Sequence, residues 1–175
     1  MCLIGLLAMF LSLVGGSRAD KVEETVEKAM EGLDVRESDI PYSHTIEKIY
    51  IGYDAKGKPK VGVSCGEIES FKFLIGIVIV EKTAEGFLLK EALFPDIGKI
   101  ENAKDRKNVL SILEMFKNIP FDPHVEKSAV DGLTGATRHG IETSGYLNHM
   151  ARCTALEMEA KTDWPIKPKA PATLP

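Results

Sequence analysis

Apolar and polar residues alternate along the chain in two periods, and the points where the period changes divide it into elements. Leu3 to Val14 is an almost unbroken apolar run that ends in Gly15-Gly16-Ser17-Arg18-Ala19. About a dozen residues are too few to cross a bilayer of ~30 Å hydrocarbon as a helix. Ser17 and Ala19 stand three and one residues ahead of a cut before Asp20, the pattern of a secretory signal peptide. The competing reading is an N-terminal helix of the domain. No Lys or Arg precedes the run.

From Asp20 to Leu33 the period is helical, with Val22, Val26, Ala29, Met30 and Leu33 on one face. Pro41 breaks the loop that follows. Thr45 to Tyr53 alternates through Ile46, Ile49 and Ile51 and predicts a strand. Asp54 to Pro59 is a polar turn, and Lys60 to Cys65 reads as the returning strand. Phe71 to Val80 is rich in Ile and Val and predicts a central strand. Thr83-Ala84-Glu85-Gly86 turns the chain into a further strand, Phe87 to Phe94. The helical period returns at Asp105 to Asn118, with Val109, Ile112, Leu113 and Phe116 in phase, and Pro120 and Pro123 end it. A long helical stretch runs from Thr137 to about Lys161, with Ile141, Tyr146, Leu147, Met150 and Leu156 as its apolar contacts. Residues 164–175 hold four prolines and little apolar pattern, which predicts a loose tail. The layout predicts an α+β fold, an antiparallel sheet packed with helices, in one domain over residues 20–163.

Composition narrows the function. The 175 residues carry a net charge of −4, with Lys and Arg scattered among Asp and Glu. That gives no basic footprint for nucleic acid. With residues 1–19 removed, no membrane span is expected. Cys65 and Cys153 are far apart, and sequence leaves open whether they pair or stay as buried thiols. His44, His124, His139 and His149 match no zinc spacing, so no metal site is expected.

The chemistry concentrates in Asp131-Gly132-Leu133-Thr134-Gly135-Ala136-Thr137, just before the last helix. An aspartate, two intervening residues, then Thr-Gly-Ala-Thr resembles the flavinylation motif of the FMN-binding domain family. That family includes the C subunit of the sodium-pumping NADH:quinone reductase and the G subunit of the Rnf complex. The specific match covers about Val130 to Tyr146. The chain departs from the family pattern at Gly132, where an apolar residue is usual, and at His139, where a Ser or Thr is usual.

The resemblance implies covalent FMN joined to the Thr137 hydroxyl by a phosphoester and installed by a flavin transferase. Asp131 would serve the transferase and its metal ion. Leu133, Thr134, Gly135 and Ala136 complete the cofactor-binding motif, and Arg138 and His139 would lend positive charge to the phosphate. Physical chemistry points the same way. A helix start offers unpaired N–H groups and the positive end of the dipole to an anion. The plain alternative is a turn whose Thr caps the helix. Tyr146 and Trp164 either stack on a flavin or serve other packing.

Together these readings imply an exported flavoprotein, periplasmic or extracellular, that passes electrons between redox partner proteins and has no catalytic residue of its own. Two other classes stand beside it: an extracytoplasmic flavin reductase acting on a small acceptor, and a flavin-free exported interaction module.

Overall fold

The structure is a computed structural model, and it describes residues 18–38, 45–68, 74–125 and 138–161. The chain opens with α1 (Arg18–Ala29) and turns through Gly32 at a positive φ of 77° into the short strand β1 (Asp34–Glu37). β2 (Lys48–Tyr53), β3 (Pro59–Glu67), β4 (Ile75–Lys82) and β5 (Phe87–Leu93) follow. A 3-10 turn at Ile97–Lys99 leads to α2 (Ala103–Met115), then β6 (Ile119–Phe121) and the long helix α3 (Arg138–Ala160). The six strands form one antiparallel sheet in the order of the chain, so the fold is α+β, an antiparallel sheet packed with helices.

Tight turns set this simple order. Between β2 and β3 the Asp54 carboxylate accepts from the Lys56 and Lys58 amides, each at 2.9 Å. The Gly57 amide donates to the Asp54 carbonyl at 2.9 Å. Aspartate in this role holds a turn that the flanking alternation alone would leave loose. Between β4 and β5 the Thr83 amide bonds the Gly86 carbonyl at 2.8 Å, and Gly86 has a φ of 134°.

Both faces of the sheet are covered. On one, Val22 and Val26 of α1 and Met30 just after it pack with Val63, Cys65, Ile75, Ile77 and Ile79. On the other, Ile49, Ile51 and Tyr53 of β2, Val78 and Val80 of β4 and Phe87 and Leu89 of β5 meet α2 and α3. Strand alternation sends neighbouring residues to opposite layers, which explains the near-continuous apolar run of β4. β5 changes phase midway: Ile79 faces Glu91, but Val80 faces Leu89. The extra residue, Lys90, is a bulge. It lets Leu89 and Ala92 reach the same core although they differ by an odd number of positions.

Several boundaries differ from the sequence expectation. β1 and β6 were not expected. β1 is short, mostly exposed and polar, and β6 contains Pro120. Pro is tolerated there because β6 is an edge strand and needs no second ladder. α2 ends at Met115 rather than Asn118, because Asn118 takes a positive φ of 55° and donates to the Lys90 carbonyl at 3.0 Å to start β6. In α3, Leu147 and Met150 are buried as expected, but Ile141 is 61% exposed. Leu156 is half-buried, and the small residues Ala151, Thr154 and Ala155 form the buried stripe with Met158. The run at Leu3 to Val14, residues Phe71 to Phe73 and the Pro-rich tail lie outside the described residues.

Close approach explains that small-residue stripe. A Cβ built on Gly62 of β3 would stand 2.5 Å from Thr154 Cγ2 and 2.7 Å from Met158 Sδ. One on Gly66 would stand 1.8 Å from the Thr45 carbonyl oxygen. Gly145, on the outer side of α3, has nothing within 4 Å. Gly62→Ala should therefore destabilise by about 1–3 kcal/mol through overpacking. Gly66→Ala should cost more, because backbone rather than a side chain must move. Gly145→Ala should stabilise by about 0.5–1 kcal/mol through helix propensity. Urea midpoints of the three variants should fall in that order around the parent.

Candidate functional site

The helix that follows the Thr-Gly-Ala-Thr sequence is the longest among the described residues, 23 residues beginning at Arg138. Its first turn contains no acidic residue. Asp131, Leu133, Thr134, Gly135, Ala136 and Thr137 lie outside the described residues. Arg138 and His139 are the first two residues of α3, and their side chains also lie outside the described part.

Just inside this helix, Gly140, Thr143 and Ser144 are buried. Thr143 Oγ1 and Ser144 Oγ have no hydrogen-bond partner among the described residues. Farther along, Thr154 solves the same problem by donating to the Met150 carbonyl at 2.7 Å. Ser64 Oγ of β3 and Tyr53 Oη of β2 are likewise buried without partners, on the sheet face that α3 covers. Each unmet buried hydroxyl costs about 1–3 kcal/mol. Thr143 and Ser144 were not singled out from sequence. The signal was present, as two adjacent hydroxyls on the apolar face of an otherwise regular helical pattern.

The C-terminal half of α3 is tied down by polar contacts. Glu157 is buried and accepts from Ser38 Oγ at 2.6 Å, with Lys161 Nζ at 3.8 Å. Arg152 Nε donates to the Pro123 carbonyl at 2.8 Å, and His124 Nε2 meets Glu159 at 2.7 Å. Tyr146 is partly buried against the core, and Trp164 lies outside the described residues.

Opposite α3, the flanks of α1 form two clefts. One runs along β4 and β5 and is lined by Lys21, Lys28 and Lys90 with Glu24, Glu81 and Glu91. At its end Asp96 pairs with Lys21 and Lys99, and the Lys21 hydrogen bond first, then Lys99, holds the Asp96 carboxyl below its usual range. The other, of about 740 Å³, runs along β1 and β2. Neither was anticipated from sequence, because each depends on α1 lying across only the middle of the sheet.

Cys65 lies under α1 and Cys153 on α3, in layers on opposite sides of the sheet, and both are free thiols. The sheet between them rules out the pairing that sequence left open. Burial pushes the Cys65 thiol up to about 11 and raises that of Cys153 as well. Cys153 Sγ sits 3.7 Å from His149 Nε2. Among the described residues, no group of three or more His, Cys, Asp and Glu could hold a metal ion, and no helix is long and apolar enough to cross a membrane.

No family model, curated protein or solved structure matches the chain.

Protein that begins at Asp20 should contain two titratable thiols, and an aromatic disulfide reagent at pH 8 should separate them. Cys153 is half-buried and should react first. Cys65 is 2% exposed and should react only as fast as the fold opens. Adding denaturant should release both at once. Two protected thiols that appear only after reduction would contradict the layering.

Proposed function

We propose that the protein is an exported electron-carrying flavoprotein with FMN attached to Thr137. One observation carries this reading: Asp131 and Thr134-Gly135-Ala136-Thr137 directly precede a 23-residue helix that begins at Arg138. One feature of the described residues supports it. The first turn of α3 is free of acidic residues, which suits a phosphoester anion.

In the attachment step the Thr137 oxygen attacks the FMN phosphorus of FAD. A P–O bond forms to Thr137, the pyrophosphate P–O bond breaks, AMP leaves, and the hydroxyl proton goes to the transferase. Asp131 is the recognition carboxylate in this scheme, and Thr134 positions the turn. When bound, the flavin supplies a centre able to take one or two electrons. The chain's own residues would hold its phosphate at the helix start, with Arg138 and His139 adding positive charge. They would leave an edge of its ring open to partner proteins. Export fits the same picture, because the Leu3–Val14 run with its Ser17-Arg18-Ala19 exit is a signal-peptide pattern. A cut after Ala19 would remove two residues of α1 and keep Val22, Val26 and Met30, which anchor it.

The test is a comparison of Thr137→Val with Thr134→Val, both expressed in a host that contains the transferase. Thr137→Val removes the nucleophile and keeps the shape, so it should abolish flavin that survives denaturation on a gel. Thr134→Val should retain it at reduced loading, Asp131→Ala should load poorly, and His139→Ser should load like the parent. Equal flavin on the two valine variants, or none on the parent, would leave the motif as a helix-capping turn in a flavin-free interaction module.

A further inference from the structure

The two ends of α1 are held to the sheet by different means. At the C-terminal end, Met30 and Leu33 flank the turn at Gly32 and close tightly on β2. A Cβ built on Gly52 would stand 2.8 Å from Leu33 Cδ1 and 3.3 Å from Met30 Cγ. Gly32 has a φ of 77°, which glycine takes without strain. At the N-terminal end the fixed point is electrostatic. Lys21 pairs with Asp96, just beyond β5, and Lys99 reaches the same carboxylate at 3.1 Å. Asp96 is 8% exposed, and a carboxylate so placed needs cationic partners. Lys99 belongs to the 3-10 turn that Asp96 begins, so Asp96 keeps one partner wherever α1 stands. Between the two ends Val22 and Val26 pack on the sheet, while Glu23, Glu24, Glu27 and Lys28 are exposed.

We propose that α1 is a latched lid. It pivots on the Met30–Leu33 turn, and its N-terminal half leaves the sheet when the Lys21–Asp96 pair parts, while the strands and α3 stay closed. The asymmetry of the two ends sets this direction. Packing with no room for a methyl group does not loosen by degrees. An ion pair whose lysine is 38% exposed gives way to water at little cost. Asp96 then retains Lys99 and gains hydration, so the open state buries no unpaired charge. Position also fixes what opening uncovers. Cys65 of β3 and Ile75 of β4 lie beside Val22 and Val26, under the N-terminal half of α1 rather than at the pivot. Cys65 therefore reports the lid, since it is 2% exposed when α1 is closed. α3 packs on the opposite face of the sheet, so the opening is partial rather than global. The lid does not depend on whether flavin is attached.

The test uses the full chain with Cys2→Ser and Cys153→Ser, which leaves Cys65 as its one thiol. Labelling by an aromatic disulfide reagent is followed from zero urea to the unfolding transition, where the rate is proportional to reagent and so reads the open fraction. Below the transition the rate should rise less than about half as steeply with urea as the unfolding constant does, because a lid exposes less surface than the whole fold. Asp96→Asn and Lys21→Gln should each raise the rate in zero urea about tenfold. Gly62→Ala strains the α3 face instead, so it should lower the urea midpoint yet change that rate less than about twofold. A rate that tracks global unfolding across the whole urea range would overturn the proposal. So would a rise with Gly62→Ala as large as with Asp96→Asn, or no rise with either latch variant.

Discussion

Everything on the α3 side of the molecule depends on how near that helix comes to the sheet. At Gly62 there is no room for a methyl group between strand and helix. The helix answers with Ala151, Thr154 and Ala155, and places its larger residues Leu147, Met150 and Met158 where the sheet leaves space. A helix seated this closely cannot roll or slide without losing dispersion contacts along its length. Its direction is therefore fixed, and so is the position from which the chain enters it at Arg138. The polar ties at Glu157, Arg152 and His124 hold the far end.

Thr154, on the same closely seated helix, is satisfied by bonding back to the preceding turn. Thr143 and Ser144 are buried, with no partner for either hydroxyl among the described residues. The FMN attachment proposed for Thr137 would stand next in sequence to the start of this helix.

Much of this was legible in the chain. Alternation through Ile49 and Ile51, the Ile/Val run of β4 and the helical spacing of Val109, Ile112 and Leu113 each follow from a single residue facing a single layer. What was not legible depended on contacts between distant segments. The bulge at Lys90 restores a phase that local alternation would lose, and only pairing with β4 reveals it. β6 is three residues with a proline at its centre, and it exists because Asn118 turns the chain back onto Lys90. Ile141 looked like a core residue by spacing, yet the helix turns it outward because the small-residue face is the one that fits Gly62. For the candidate site, the Asp131–Thr137 motif is a property of sequence alone. The hydroxyls of Thr143 and Ser144, buried without a partner among the described residues, and the clefts beside α1 are properties of packing, which no local pattern announces.

The central claim is a covalent bond at one oxygen, so mass tells most directly. The protein would be made with and without the flavin transferase and digested with trypsin, which cuts after Lys127 and Arg138 and yields Ser128–Arg138. This peptide contains both Thr134 and Thr137. With the transferase it should gain the mass of one FMN less one water, and fragmentation should place the gain on Thr137. An unmodified peptide from transferase-containing cells, or a gain placed on Thr134, would contradict the account.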